Sequence, residues 1–469
     1  MKRALALLAA LALSGCVVGP NYVSPAPKAP AQAPFASAGA PAFVPAEPPA
    51  DWWRLYNAPI LDRLVAEALA ANTDLRVAAA NLRQARAVLR ETRTQRLPTT
   101  QINASAAYER IAGSTLGLQG KGPQGDAYDA GLDLSYQIDL FGRIKRGIEA
   151  SRADVESVQA AYDLTRITVV AETIRAYSDA CAAGRQLAVA QESLRVQQET
   201  FDLTRRLEAG GRGTGLDTSR AAALLEQTRA DVPTFESARQ AALFRLAVLT
   251  GKPPADFPPE VAACASPPTV ATPIPVGNGA TVLARRPDIR QAERKLAAAT
   301  ARIGVATADL YPSVSIGGSI GSTANSVGGL ASSSGFRFSL GPLLSWTFPN
   351  TAAAHARIAQ ARASADAALA TFDGTWLVAL RDTETALTDY VALGQRVETL
   401  RRGRDQSQEA ARIARLRYRA GAENFQIVLD AERELAQSEA LLSATEAQYS
   451  DATVTLFLAL GGGWQQSPA

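Results

Sequence analysis

The sequence contains one pattern twice, so its fold has to be built from two similar halves. Residues 72–76 match residues 286–290 at an offset of 214, and Ala209-Gly210 matches Ala420-Gly421 at an offset of 211. In each half a helical pattern is followed by a proline, a weakly apolar region and two long helical patterns. With only two copies, this indicates a duplication within one fold and not a stacked repeat array.

The helical patterns are long and rich in alanine. Leucine or alanine recurs every seven residues at positions 61, 68, 75, 82 and 89, a spacing typical of coiled-coil packing. No proline interrupts residues 143–209, which as one helix would span roughly 100 Å. This pattern also fits a periplasmic coiled-coil scaffold or adaptor. We predict long helices at residues 143–209, 216–250, 351–420 and 424–460.

The weakly apolar regions alternate between apolar and polar residues. From residue 128 to residue 140 every second side chain is apolar or aromatic, and those between are mostly polar. Such alternation is typical of lipid-facing barrel strands around a polar interior, although a soluble antiparallel sheet shows it too. We predict four strands, at residues 99–110, 127–140, 313–322 and 335–348.

Four strands cannot close a membrane barrel on their own. An open sheet edge in hydrocarbon leaves backbone N–H and C=O groups unsatisfied, so a chain that crosses a membrane with these strands must oligomerise. Two copies supply eight strands, a barrel filled by its own side chains, whereas three supply twelve and leave room for a passage. A conduit therefore favours a homotrimer.

The first fifteen residues indicate a secretory signal. Two basic residues precede an apolar run at residues 4–13, which is too short to span a bilayer. Residues 13–16 also resemble a bacterial lipobox, in which the cysteine, here Cys16, becomes the lipidated N-terminus. The alternative is an ordinary signal peptide with an incidental cysteine. Because no Asp follows Cys16, we expect sorting to the outer membrane.

Two proline-rich segments divide the chain. Residues 17–50 hold nine prolines among Ala, Gly and Ser, which is typical of an extended tether, and a second such segment covers residues 252–287. We predict a signal peptide at 1–15, a lipidated tether at 16–50, a first repeat at 51–251, a linker at 252–287, a second repeat at 288–464 and a tail at 465–469.

Charge and side-chain chemistry exclude several classes of function. Removal of Lys2 and Arg3 with the signal reduces 48 basic residues to 46, against 45 acidic ones, so nothing favours a nucleic-acid partner. Residues 317–321 fit the pattern of a hydrolase nucleophile, but they lie in a predicted strand, and the only histidine is His355. We predict no enzyme activity, no cofactor and no metal site.

The two cysteines beyond Cys16 are predicted to be unpaired. Cys181 lies in a helical pattern and Cys264 in the proline-rich linker, and nothing in the sequence brings them together. An oxidising periplasm would allow them to pair.

Five short motifs spread over nearly the whole chain point to one family. They are Cys16 followed by Gly-Pro-Asn-Tyr at 19–22, Asp-Trp-Trp at 51–53, Ile-Asp-Leu-Phe-Gly-Arg at 138–143, Arg-Arg-Pro-Asp-Ile-Arg-Gln-Ala-Glu at 285–293, and Ala-Leu-Gly-Gly-Gly-Trp at 459–464. Together they resemble the outer-membrane efflux protein family, of the TolC and OprM type, in its NodT-like lipoprotein branch.

The resemblance implies a mainly α-helical protomer whose four strands join those of two further copies. The result would be a 12-stranded β-barrel in the outer membrane, continued by a long α-helical barrel in the periplasm. It implies a lipid-anchored passive gated exit duct for drugs or other small solutes, working with a periplasmic adaptor and an inner-membrane RND-type pump. A type I secretion duct and a structural periplasmic lipoprotein without a pore are the alternatives.

The family's periplasmic gate maps to the helix break after Ala420-Gly421. Asp430 matches the aspartate whose ring narrows the tunnel, and Gln426 replaces a leucine one turn earlier. Arg417 and Tyr418 match the pair implied to latch the closed state. Three Asp430 carboxylates near an axis would repel one another and attract cations. The alternative for Asp430 is a solvated charge on a helix face.

Replacing Cys16 by serine tests the lipobox. Only the thiol can carry the thioether-linked lipid, so Cys16→Ser should abolish fatty acylation and weaken or misdirect outer-membrane association. Metabolic labelling with a radioactive fatty acid and membrane fractionation measure both effects relative to the unaltered protein. Normal acylation of Cys16→Ser would refute the lipobox.

Overall fold

The computed structural model describes residues 17–25, 34–112, 114, 117 and 119–462, apart from the side chains of 281–283. The predicted signal peptide, the predicted lipid-bearing Cys16 and the predicted tail at 465–469 lie outside these residues. None of the helices within them combines the length and the apolarity that crossing a bilayer demands.

Long helices and one four-stranded sheet dominate the described chain. The strands are β1 (Phe43–Val44), β2 (Thr99–Arg110), β3 (Gln124–Ile138), β4 (Ile274–Pro275), β5 (Ser313–Ala324) and β6 (Phe336–Ser345). The helices are α1 (Pro59–Ala71), α2 (Thr73–Thr94), α3 (Arg143–Ala209), α4 (Gly215–Leu249), α5 (Pro259–Ala262), α6 (Gly279–Arg285), α7 (Pro287–Ala308), α8 (Ala352–Arg419) and α9 (Phe425–Ala459).

The chain folds into two compact units, each assembled from both repeats. The sheet unit comprises residues up to 25 together with 82–158 and 291–373. The helical unit comprises residues 26–81, 159–290 and 374–469. Each repeat therefore contributes segments to both units.

The sheet unit is built around an antiparallel sheet in the order β2-β3-β5-β6. The pairing of β3 with β5 joins the two repeats, with Tyr128 opposite Ala324 and Ile138 opposite Val314. Directly opposed residues of antiparallel strands share a face. The register therefore places every odd-numbered residue of these four strands on one face, here called the polar face, and every even-numbered one on the other, the apolar face.

The helical unit has a core of aromatic and aliphatic side chains that closes around Trp52. This fully buried ring stacks on Phe457 of α9 with centroids 4.6 Å apart, and Leu61 and Leu64 of α1 are fully buried beside it. The positions of the predicted seven-residue seam in α1 and α2, from Leu61 to Leu89, are all buried. Alanine and leucine at this spacing let neighbouring helices approach closely.

The segment predicted as an extended tether is partly packed. In the sheet unit the buried Arg146 guanidinium donates hydrogen bonds to the backbone oxygens of Val18 and Gly19, both at 3.2 Å, and to Asn21 Oδ1 at 2.7 Å. In the helical unit Phe43 enters the core, and strand β1 pairs with β4. Proline content predicted an extended backbone; it did not reveal these anchoring contacts.

Cys181 and Cys264 form a disulfide in the helical unit, so the prediction that they are unpaired is wrong. The bond ties the linker to helix α3 across a sequence separation of 83 residues. Gly184, one turn after Cys181, makes the approach possible, because a Cβ there would lie 2.1 Å from the Cys264 carbonyl oxygen. The linker reaches the helix only through tertiary packing, which residue spacing does not reveal.

Removing this disulfide should destabilise the helical unit. Cys264→Ser frees a long loop in the unfolded chain, and loss of such a bridge typically lowers the free energy of unfolding by about 2 to 4 kcal/mol. We expect a lower unfolding midpoint by circular dichroism for this variant, for Cys181→Ser, and for the unaltered protein in reductant. Two titratable thiols in the denatured, unreduced protein would instead restore the unpaired assignment.

Candidate functional site

The predicted gate residues lie at the turn between α8 and α9, in the helical unit. Gly421 ends α8 with a left-handed backbone, φ 72°. The amide of Gly421 donates to the Tyr418 carbonyl and that of Ala422 to the Arg417 carbonyl, both at 2.9 Å. Asn424 then caps α9 by accepting a hydrogen bond from the Ile427 amide. The sequence therefore stops one helix and starts the next within five residues.

The turn between α3 and α4 has the same construction in the first repeat. Gly211 is left-handed, φ 68°, and Thr214 caps α4 by accepting from the Asp217 amide. The left-handed Gly211 and Gly421, and the caps Thr214 and Asn424, align the two turns at an offset of 210 residues, one less than the offset of 211 predicted from the Ala-Gly pairs. At the structural offset Asp430 corresponds to Arg220, so the duplication places a cation where its other copy has the predicted gate carboxylate.

An apolar cluster packs the beginnings of α4 and α9 together. The Tyr418 ring lies 5.5 Å from the ring of Phe425, which is buried. Burial and the Asp217 carboxylate raise the pKa of Tyr418, so its hydroxyl stays protonated at neutral pH. The buried members of the cluster are Ala221, Leu224, Ala414, Phe425, Val428 and Leu429.

Asp430 belongs to an exposed polar chain on the other side of this cluster. Gln426 Nε2 donates to Asp430 Oδ1 at 2.9 Å, and Arg220 Nη1 donates to Gln426 Oε1 at 2.8 Å. The Arg433 guanidinium lies 3.6 Å from the same Asp430 oxygen. Gln426 thus links the carboxylate of one repeat to the cation of the other.

Arg417 does not pair with Asp430 within this chain. Its guanidinium lies 3.4 Å from a carboxylate oxygen of Glu423, in the turn. The structure brings Gln426 and Asp430 together and leaves Arg417 and Tyr418 on the turn itself. Restraint of Asp430 by Arg417 in a closed assembly stays a prediction. Sequence reasoning missed Arg220 and Arg433; alignment of the two repeats would have found the first.

A buried carboxylate lies two residues after Asp430 on α9. Glu432 is 2% exposed, and its Oε1 lies 3.0 Å from Arg415 Nε, whose N–H instead donates to the Ala411 carbonyl. Gln197 of α3 donates to the other oxygen at 3.4 Å. Burial raises the pKa of Glu432, the Arg415 charge opposes the rise, and nearby Glu439 adds to it. This group joins α3, α8 and α9 just behind the gate residues.

The sheet unit presents a second functional surface, the apolar face of the sheet. Nothing in the described part of the chain covers it, although exposed apolar patches of this extent mark membrane or protein contacts. Strands β2 and β6 pair on one side only. The exposed large side chains of this face are Ile102, Tyr108, Leu132, Ile316, Ile320, Phe336, Phe338, Leu340 and Leu344.

Comparison with known proteins identifies the family. The outer membrane efflux protein profile matches residues 64–252 and 280–462, one segment in each repeat. The chain belongs to the outer membrane efflux protein family. The resemblance inferred from the short motifs is therefore confirmed, and the chain is an outer-membrane protein.

Similar proteins extend over nearly the whole chain. Nodulation protein T of Rhizobium leguminosarum bv. trifolii is 30% identical, covering 97% of this chain and 96% of its own length. Outer membrane protein OprJ of Pseudomonas aeruginosa is 32% identical, covering 98% and 96%. The solved outer-membrane channel OprN is 36% identical with a TM-score of 0.91, covering 96% of this chain and all of its own. The open Neisseria gonorrhoeae MtrE channel is 27% identical with a TM-score of 0.84, covering 96% and 99%.

The motif that resembles a hydrolase nucleophile has no such setting in this family member. Residues 317–321 lie in the middle of strand β5, where a nucleophile elbow requires a sharp turn between a strand and a helix. His355 lies on helix α8. The solved OprN and MtrE structures are both described as outer-membrane channels.

Replacing Arg415 should destabilise the helical unit more than neutralising Glu432. Arg415→Met leaves a buried carboxylate without its cation, which we expect to lower the free energy of unfolding by about 1 to 3 kcal/mol, less than for a fully buried pair because Arg415 is 28% exposed. Glu432→Gln removes a charge whose burial is already unfavourable and should have a smaller effect.

The destabilisation caused by Arg415→Met should depend on pH. The raised pKa means that ionised Glu432 lowers the free energy of unfolding. This loss of stability is absent below the ordinary carboxyl pKa of 4.5, where Glu432 is protonated, and it grows as pH rises through the pKa of Glu432 in the folded protein. The Arg415→Met defect in apparent unfolding temperature should therefore shrink on acidification. It should also vanish at neutral pH in the double variant with Glu432→Gln. An equal defect at all pH values would contradict this account.

Proposed function

We propose that three copies of this chain form a passive gated channel in the outer membrane, the exit duct of a tripartite RND-type efflux system for drugs or other small solutes. The observation that carries the proposal is the sheet, which has one exposed apolar face, one polar face and two unpaired edges. The full-length similarity to outer-membrane channels supports the same conclusion.

Closure of the sheet requires other copies. In hydrocarbon the free N–H and C=O groups of β2 and β6 must be paired, and the only strands available to every copy are those of its neighbours. Three copies provide twelve strands, which enclose a passage, with the apolar face toward lipid and the polar face inward. The helices α3, α4, α8 and α9 would continue the wall as an α-helical barrel in the periplasm. In this proposal Cys16 anchors the mature chain, and residues 1–15 are its cleaved signal.

The helix turns around residues 209–215 and 419–425 would form the closed periplasmic end. There Asp430 and Gln426 constrict the passage, while Arg417 and Tyr418 hold α8 and α9 in the closed arrangement. Arg220 adds a cation to the same network through Gln426. A periplasmic adaptor would release this arrangement, and an inner-membrane pump would supply the energy, since the duct has no energy source of its own.

Single-channel recording in planar bilayers tests the channel and its gate together. Asp430→Ala removes a charge of the constriction, so it should raise conductance and increase antibiotic entry into cells that express it. The matched control is Glu434→Ala, on an exposed carboxylate of the same helix. Equal conductance of Asp430→Ala and the unaltered protein would remove Asp430 from the gate.

The assembly itself needs a separate measurement. The mass of the detergent-solubilised protein, determined by native mass spectrometry, should correspond to three chains. Absence of any conductance, or a monomeric mass, would instead favour a structural lipoprotein without a pore.

A further inference from the structure

The polar face of the sheet carries few charges, and they are arranged asymmetrically. Within the four strands, all of which the structure describes, its ionisable side chains are three carboxylates and one guanidinium, a net charge of −2. The apolar face has only Arg110 and Asp126, both next to the loop that joins β2 to β3. The four on the polar face are Glu109, Asp129, Asp133 and Arg337.

One of the carboxylates is neutralised by the guanidinium. Arg337 Nη2 on β6 lies 2.8 and 2.7 Å from the two oxygens of Asp129 on β3, crossing the intervening strand β5. Thr323, directly opposite Asp129, donates to the same carboxylate at 2.6 Å. The charge of Asp129 is therefore matched within the chain by a well-oriented partner.

Two glycines lie beside the path of the arginine across the sheet. Gly321 faces Arg337 on β5, and Gly131 faces Gly321 on β3. A Cβ at Gly131 would lie 3.5 Å from Arg337 Nη2, and one at Gly321 would lie 2.6 Å from the Ala130 carbonyl oxygen. The guanidinium thus lies over a strip of backbone that carries no side chain.

The other two carboxylates have no cation on this face. Asp133 accepts a hydrogen bond from the neutral Asn103 amide at 2.5 Å. Glu109 lies opposite Gly125 at the loop end of the sheet. Their charges remain uncompensated by the strands, so three copies facing one passage would carry −6.

We propose that Arg337 is a selectivity-determining residue of the channel: it masks Asp129, so that Asp133 and Glu109 make the strand-lined passage favour cations over anions. This rests on the proposed function, because only a closed assembly turns the polar face inward. Charges of one sign along a narrow, low-dielectric wall raise the local concentration of the opposite ion. Solutes with a positive or zero net charge are then the favoured class of cargo at this end of the duct.

The test is the reversal potential of the full-length protein in planar bilayers under a KCl gradient. Dilute salt, near 0.01 M, is used because the Debye length is then about 30 Å and exceeds the distance to the wall. The unaltered protein should favour K⁺. Arg337→Gln leaves the Asp129 charge without its partner and should raise the K⁺ to Cl⁻ permeability ratio about twofold. A twofold change corresponds to less than one kT in the electrostatic energy of an ion in the passage. Asp133→Asn should lower the ratio by a similar factor.

The matched control is Asp126→Asn on the same strand. It removes the same charge as Asp133→Asn, but from an even-numbered position on the apolar face, and should leave the ratio unchanged. All variants retain Asp430, so any contribution of the gate is common to them. Opposite shifts in Arg337→Gln and Asp133→Asn cannot come from a general defect in folding.

Chemical modification covers the case in which Arg337→Gln fails to assemble. Ser339, opposite Ser319 on the polar face, is replaced by cysteine and labelled with a positively or a negatively charged thiosulfonate. The positive adduct should lower the ratio and the negative adduct should raise it.

The outcomes separate the two proposals. An absence of conductance in the unaltered protein overturns the proposed function. A conducting protein whose ratio is unaffected by Arg337→Gln, Asp133→Asn and both adducts overturns the selectivity proposal and leaves the channel intact. A shift with Asp126→Asn as large as that with Asp133→Asn also overturns it, because the faces would be assigned wrongly.

Discussion

The unpaired backbone groups at the two edges of the sheet are the constraint on which the rest of this structure depends. Strands β2 and β6 each have one partner, and the face between them is covered by exposed Ile, Leu, Phe and Tyr side chains. Water can hydrogen-bond to an open sheet edge, but exposure of a broad apolar face to water is unfavourable. Lipid covers the apolar face favourably, but it cannot hydrogen-bond to the open edge. The proposed assembly, in which copies pair edge to edge, satisfies both requirements.

The duplication supplies the means to build such a wall. Each repeat contributes one pair of strands and one pair of long helices, and the β3–β5 pairing joins the repeats in register. The two helix turns use the same left-handed glycine and the same capped helix start. They have nonetheless diverged in charge, since Arg220 stands where the other repeat has Asp430. One chain thereby provides both partners of a polar contact, mediated by Gln426.

Polar groups are used differently in the two units. In the helical unit Glu432 is buried, with an incomplete set of partners, where three helices meet. In the sheet unit Asp129 and Arg337 satisfy each other on a surface that stays accessible. A buried pair of charges contributes little net stability but penalises rearrangement that would separate it. An accessible pair mainly alters the local potential. The first therefore restrains the positions of the helices, and the second sets the charge of the polar face, on which the proposed selectivity depends.

The sequence by itself determined the elements that follow from periodicity and local chemistry. Alternation along β3 and β5 revealed which residues share a face, the seven-residue spacing from Leu61 to Leu89 revealed buried helix positions, and Ala420-Gly421 marked a helix break. Short motifs revealed the family. Each of these signals depends on residues near one another in the chain, which is why they were readable without coordinates.

Only the tertiary structure decided the contacts between distant residues. It joined Cys181 to Cys264, docked residues 18–21 around Arg146, and brought Arg337 across β5 to Asp129. It also linked Arg220 to Gln426, and gave Arg417 a partner in Glu423 in place of Asp430. Such pairings depend on the angle and register at which elements pack and on space left by glycines such as Gly184. Composition and spacing along one chain do not encode those quantities in readable form.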